Sequence, residues 1–468
     1  MANTKIVPLC LYISFLSLIA VASSFSPTDH YLINCGSGAA ETFDADHRVF
    51  VGDDTRFLAS TRSIQLQSSD PPSASISPLY HTARAFNHPA HYVFPIGDRG
   101  IHHLVRLHFY PLRNNHNDLY EAEFHVVVNE FLLLRNFRIS ESDNFPIIKE
   151  FVVPVVSDEL KITLLPSDRS RFAFVNAIEV ISAPRDLIAD VAQWVDSEKN
   201  ERIYGLLRNG FETVHRVNAG GFKVTPFNDS LWRTWITDDE FMVSNEGSET
   251  VRFGGRIKYQ MGGASREVGP DNVYNTARVI KSKDNSIPNV NLTWSFEVEK
   301  GYSYMVRMHF CDIASVSTHM LYFNVYVNGN LAYENLDLSD ITNAVLASPF
   351  YADFVVEGES SGNLAVGVGP SNMSWPRAVD AILNGIEIWK LNNSMGSFDG
   401  EVCVDYAWRS WRNGHTGVLL PLIAAIFLLL SASVFLQRRR NVSLGWSRLP
   451  VDASESNLKG SNQLSSIK

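Results

Sequence analysis

The phrase VRLHFY at Val105–Tyr110 returns as VRMHFC at Val306–Cys311. Each copy reads as a β-strand. Side chains on a strand alternate with period two, so Val105, Leu107 and Phe109 share one face and Arg106, His108 and Tyr110 the other. Five companion phrases recur in the same order. INCGS (Ile33–Ser37) answers VNAGG (Val217–Gly221), and YHTARAF (Tyr80–Phe86) answers YNTARVI (Tyr274–Ile280). FHVVVNE (Phe124–Glu130) answers FNVYVNG (Phe323–Gly329), EFVVP (Glu150–Pro154) answers DFVVE (Asp353–Glu357), and NAIEVI (Asn176–Ile181) answers NGIEIW (Asn384–Trp389). Collinear matches about 200 residues apart imply a duplicated domain, not a solenoid of short repeats. The repeated Arg and His are expected to play a structural part in both copies.

Both halves are rich in short alternating runs, such as Phe124–Val128, Lys161–Leu165, Asn291–Val298 and Leu364–Val368, separated by Gly, Asn, Asp and Pro. That pattern predicts an all-β chain of two tandem β-sandwich domains. VNGN at Val327–Asn330 carries the Asn-Gly pair of a tight hairpin. A helix is expected between the repeats, over Pro184–Leu207, where DLIADVAQWV spaces apolar residues by three and four.

The ends point to a membrane. Residues 1–24 hold Lys5, an apolar run from Ile6 to Ala22 and a small-x-small pair at Ala22 and Ser24, the pattern of a secretory signal peptide. Val418–Leu436 is an uncharged stretch of bilayer-spanning length, followed by Arg438, Arg439 and Arg440, which places the C-terminus in the cytosol. The expected order is a signal peptide (1–24), a first sandwich (25–183), a connector (184–211), a second sandwich (212–392), a juxtamembrane stalk (393–417), a transmembrane helix (418–436) and a disordered, serine-rich tail (437–468). Tyr406, Trp408 and Trp411 are expected at the membrane interface. The protein is expected at the plasma membrane, with an extracellular ectodomain and a short cytoplasmic tail.

The chain of 468 residues has a net charge of −10. The tail carries six basic and two acidic side chains, and Lys5 is the only charge before Phe25, so the exterior holds about −15. Such a surface disfavours nucleic acid and attracts basic partners over about one Debye length. Once Cys10 leaves with the signal peptide, Cys35, Cys311 and Cys403 remain, an odd number. One pair plus a thiol and three free thiols both remain open. No CxxC spacing suggests zinc, and no cofactor motif is present. Sequons at Asn228, Asn291, Asn372 and Asn392 are expected to carry N-glycans, while Asn441 lies on the cytosolic side and is expected to be bare.

ETVHRVNAGGFKVTPFNDSLWRTWITDD (Glu212–Asp239) resembles the opening of the second malectin-like domain of plant receptor-like kinases of the FERONIA, THESEUS and ANXUR kind, with His215 where a Tyr is usual. YNTAR and VRMHFCDI match phrases of the same family, and GWSRLP (Gly445–Pro450) resembles the patch that precedes its kinase. The resemblance implies two malectin-like β-sandwiches. It also implies a basic secreted peptide as ligand, acting with a GPI-anchored co-receptor. Relatives continue into a serine/threonine kinase. The 32 residues after Leu436 hold no phosphate loop, HRD or DFG motif. A receptor-like protein acting through a partner kinase or as a decoy is therefore expected, with a truncated reading of a full receptor kinase as an alternative.

A second alternative is a wall-carbohydrate module for pectin or another glycan. The family resemblance extends to animal malectin, which binds a glucose disaccharide, and Tyr110, Tyr120, Trp232 and Trp235 are the candidate stacking rings. No residue set is singled out for ligand contact. An enzyme is not expected. A glycosidase needs two carboxylates about 5–10 Å apart. The visible pairs, Asp238-Asp239 and Asp44-x-Asp46, sit where turns collect Asp for other reasons.

Overall fold

A computed structural model describes residues 25–53, 56–60, 62–68, 76–114, 117–142, 145–170, 172–281, 289–376 and 378–443. The expected signal peptide, GWSRLP and the tail beyond Ser443 lie outside the described residues. The chain divides into two units, one up to Trp411 and one from Arg412.

In the first unit the repeated phrase is a central strand in both halves. Ile101–Phe109 pairs antiparallel with Ile147–Val155 and Ala177–Ser182, and Ser303–Cys311 with Pro349–Glu357 and Gly385–Leu391. Alternation runs as expected. Val105, Leu107 and Phe109 enter one core, and Val306, Met308 and Phe310 enter the other. Each front sheet is backed by a four-stranded and a three-stranded sheet, which closes a sandwich over each core. The VNGN hairpin forms as well. Val327 pairs with Asn330, and Asn328 and Gly329 take the positive φ that a two-residue turn requires.

The two front sheets are one. Phe151 and Val152 of the first repeat pair with Glu212 and Phe211 at the start of the second, which gives a continuous 13-stranded sheet. Edge strands invite a partner, and here each repeat supplies the other's.

Two segments differ from expectation. Pro184–Leu207 is not a helix. Val191–Val195 and Asn200–Tyr204 form a hairpin that joins the long sheet beside Pro349–Glu357. Asp196 makes the turn by accepting hydrogen bonds from the backbone of Glu198 (2.7 Å) and Lys199 (2.6 Å). The helix-like spacing has another use. Leu187, Ile188, Ala192 and Leu206 pack beneath the seam with Leu104, Val152, Met305 and Trp389. Packing across the sheet outweighs a weak local preference.

The stretch read as a stalk is also built into the fold. After the second repeat the chain turns back to the first. Leu132 donates to the carbonyl of Gly396 (2.9 Å), and Phe398 is fully buried in the first repeat's core beside Phe151. Ala407 is buried against Val127, Leu132 and Leu165. Tyr406, expected at a membrane interface, lies under the Arg135 guanidinium (4.6 Å), and Trp408 lies against His91.

Val404–Ser443 is helical. Among the described residues, no helix is long and apolar enough to cross a membrane. The side chains at 412–423, which include the start of the expected span at Val418, lie outside the described set.

Candidate functional site

The repeated Arg and His are buried in ionic clusters on the sheet face opposite the cores. In the first repeat, Arg106 donates to Glu150 (2.5 Å) and Glu179 (2.7 Å), and the His108 ring lies between Glu179 (2.9 Å) and the Tyr80 hydroxyl (2.9 Å). In the second, Arg307 is chelated by both oxygens of Asp353 at 2.7 Å, and His309 lies between Glu387 (3.1 Å) and the Tyr274 hydroxyl (2.9 Å). Arg216 joins the two halves, donating to Glu387 (2.6 Å) and across the seam to Glu150 (2.6 Å). Burial alone would raise the carboxyl of Glu387, but the Arg216 charge and the His309 hydrogen bond bring it down to about 2. Glu150 is likewise held well below the usual carboxylate range, by Arg216 and Arg106. With every charge answered inside the protein, these clusters are structural, and they leave no acid or base poised for substrate.

The carboxylate pairs are structural too. Asp238 is buried and receives hydrogen bonds from Arg278 (3.0 Å), the Trp294 indole (3.0 Å) and the backbone of Gly220 (3.0 Å). Its neighbour Asp239 is exposed and accepts from the same Arg278 (2.5 Å). The first repeat builds the same device from Asp53, Arg84, Tyr92 and Gly36. Both glycines have positive φ, and a Cβ on either would lie within 2.4 Å of a backbone carbonyl, Ala83 or Ala277. That close approach explains INCGS and VNAGG. Asp44 is spent on Arg48 (2.7 Å) and on the backbone of its own turn.

The candidate rings scatter. Trp235 is fully buried and donates to Asp229 (3.0 Å), so it offers no platform. Trp232 is half-buried against His30 at 4.4 Å, and Tyr110 is half-buried beside Tyr80. Tyr120 lines a cleft. This opening of about 1080 Å³ in the first repeat is walled by Asp118, Tyr120, Arg138, Ser140, Arg169 and Phe172, among others. Asp118 caps the turn that presents Tyr120 by accepting from its backbone N–H (3.1 Å). Two guanidinium groups, carboxylates, hydroxyls and ring surface suit a polar ligand with apolar faces. Arg138 and Arg169 carry no sequence signal: isolated arginines in a loop-rich region look like solvated surface.

Asn228, Asn291 and Asn372 are exposed, whereas Asn392 is half-buried. Cys35 and Cys311 are buried free thiols and Cys403 is a half-buried one, which leaves the three unpaired. Burial pushes the thiols of Cys35 and Cys311 up, so both are poor nucleophiles.

The malectin-like domain family matches residues 33–391. A probable receptor-like protein kinase of Arabidopsis thaliana is 41% identical over 382 residues, covering 80% of this chain and 46% of its own length. THESEUS 1 of the same plant is 38% identical, over 82% of this chain and 45% of its own. The chain thus spans about half the length of the curated relatives it matches. Among solved structures, the ANXUR2 extracellular domain of Arabidopsis thaliana is 27% identical, covers 79% of this chain and 98% of its own, and has a TM-score of 0.71. A chain from the crystal structure of plant peptide RALF23 in complex with FER and LLG2 is 32% identical over 80% of this chain and 98% of its own, with a TM-score of 0.68. The sheet, the twin cores and these matches agree: the chain belongs to the malectin-like family of FERONIA, THESEUS and ANXUR relatives.

Proposed function

We propose that the two repeats, 25–183 and 212–392, together with the strap that follows, form the extracellular ligand-binding part of a single-pass receptor-like protein at the plasma membrane. The ligand is a basic secreted peptide held jointly with a GPI-anchored co-receptor. The region contributes binding, not catalysis, and acts through a partner or as a decoy. The observation that carries this reading is the likeness to a chain solved with a plant peptide and a third protein, along nearly the whole of that chain. An exterior of about −15 supports a basic ligand. A crossing at 418–436 is supported by the exposed side chains of Phe427, Leu428, Leu429, Phe435 and Leu436, which water would not favour, and by Arg438 and Arg439 just beyond them. N-glycans on the exposed sequons fit the same topology.

The test is calorimetric titration of the detergent-solubilised chain with a basic secreted peptide, with and without a GPI-anchored co-receptor, at low and high salt. Binding that weakens with salt is the expected result. No binding in either format would sink the peptide reading.

The Tyr120 cleft favours a second reading, a wall-glycan module. Its mixed charge suits neutral sugars as well as acidic ones. Oligosaccharide titrations of the parent and Tyr120→Ala would show a loss of affinity confined to the variant.

A further inference from the structure

His319 lies in the loop before strand Tyr322–Val327, and Asp337 ends strand Asn330–Asp337 and caps the short helical turn Leu338–Ile341, which contains Asp340. His319 Nδ1 is 2.7 Å from Asp337 Oδ2 and 3.7 Å from Asp340 Oδ1. The three donor atoms all lie within 4.8 Å of one another. A zinc-class ion holds imidazole nitrogen and carboxylate oxygen at about 2.0–2.2 Å, which sets neighbouring donors roughly 3–3.5 Å apart. The two separations from His319 bracket that value.

The His319 ring faces both carboxylates, Asp337 as the nearer partner and Asp340 as the farther one. The surroundings fix both inner donors through one residue. The buried Ser339 donates its backbone N–H to Asp337 Oδ1 (2.8 Å), and its hydroxyl accepts from the backbone of His319 (2.9 Å). His319 is held at φ +59°, a conformation few non-glycine residues adopt. Support of this kind is what orients ligands around a metal. The Asp337 side chain is 5% exposed, that of His319 49% and that of Asp340 75%. The cluster is closed toward the protein and open toward water.

We propose that His319, Asp337 and Asp340 bind one divalent cation of the zinc class, with water completing its shell, and that the ion ties the loop before Tyr322 to the turn after Asp337. One imidazole and two carboxylates favour a borderline transition cation over calcium or magnesium, which take oxygen alone.

The full chain is titrated with Zn²⁺ by calorimetry and with Co²⁺ by visible absorption. The expected result is one Zn²⁺ per chain and a Co²⁺ ligand-field band that Zn²⁺ abolishes. His319→Gln and Asp340→Asn each weaken uptake at least about tenfold, because each removes a ligand. Asp340 is mostly exposed, so Asp340→Asn is the variant whose metal-free melting temperature is expected to match the parent, which keeps loss of uptake apart from loss of fold. His88→Gln, outside the cluster, binds as the parent does. Three outcomes overturn the proposal: no heat and no band in the parent; uptake that neither substitution changes, which marks an adventitious ion only; or Ca²⁺ binding as tightly as Zn²⁺ and insensitive to His319→Gln, which marks a plain acidic patch.

Discussion

The two repeats keep the same His–Glu–Tyr cluster but wire their arginines differently. In the second repeat, Asp353 chelates Arg307 with both oxygens, and that pair is complete. In the first, Glu150 stands at the matching position with one more methylene. It gives one oxygen to Arg106 and the other to Arg216 of the second repeat. A similar exchange surrounds the paired glutamates. Arg216 serves Glu387 from the strand Phe211–Asn218. The position matching Arg216 in the first repeat is the buried Leu32, and Arg48, in the turn just before strand Val49–Gly52, serves Glu179 instead (2.9 Å). At the seam Glu150 and Arg216 tie the halves together, whereas Arg307 and Asp353, away from it, close on each other.

The sharpest way to break this comparison is Arg216→Ala against Arg48→Ala. Losing Arg216 strips Glu150 and Glu387 of a buried partner, and breaking a buried pair on one side costs about 3–5 kcal/mol. Arg48 lies nearer water and serves one repeat only, so its loss should cost clearly less. Denaturant midpoints of the two variants check the order. Equal losses would mean that the seam carries no special load.

The next largest effect concerns acid. Burial pushes His102 and His125 of the first repeat down to about 4 from an ordinary 6.5. A folded value below the unfolded one means that the unfolded chain takes up protons first. Stability is therefore complete above pH 6.5 and lost as pH falls toward 4, by about 3 kcal/mol for each ring. Glu387, lowered to about 2, adds a further loss below about pH 4.5. The second repeat has Ser303 and Asn324 at the two histidine positions. Asn324 accepts from the backbone of Asn335 (2.8 Å) as His125 does from Asn136 (3.0 Å). His102→Ser with His125→Asn should therefore flatten the fall in melting temperature between pH 6.5 and 4.5. An unchanged slope would place the acid sensitivity elsewhere; His309, lowered by burial although Glu387 draws it back up, is the next candidate.

A smaller effect sharpens the seam itself. Glu150→Asp installs the second repeat's side chain in the first. It should keep the Arg106 bond and lose the reach to Arg216, at about 1–3 kcal/mol for a charged hydrogen bond left unmade. Chemical denaturation of the variant, alone and combined with Arg216→Ala, measures the coupling. Additive losses would show that the two residues do not interact.

Much of this was legible from periodicity. Alternation in VRLHFY and VRMHFC put Val105 and Phe109 on one face and Arg106 and His108 on the other, and Asn-Gly located a hairpin. What escaped depends on distance along the chain. Glu150 and Arg216 meet across 66 residues, and Phe398 enters a core built more than 200 residues earlier. Neither contact leaves a periodic trace. The helix expected at Pro184–Leu207 failed for a related reason: its apolar spacing was real but answered to the seam cluster, while Val191, Trp194 and Val195 suited the vacant sheet edge. The cleft around Tyr120 was half legible, through its ring alone.

The same return of the chain toward the first repeat sets the mildest prediction, which concerns occupancy and not stability. Asn228, Asn291 and Asn372 are exposed, and each should carry a glycan in nearly every molecule made through the secretory route. Asn392 sits where the second repeat hands over to the strap. Its Oδ1 accepts from Gly210 (2.7 Å) and its Nδ2 donates to the carbonyl of Asn393 (2.7 Å). Glycan transfer needs that same nitrogen, accessible to an enzyme. Peptide mass spectrometry after enzymatic deglycosylation in heavy-oxygen water should show label at the first three sites and much less at Asn392. Full labelling at Asn392 would mean that sugar is attached before the turn closes, and that the bond from Gly210 is not what holds the strap in place.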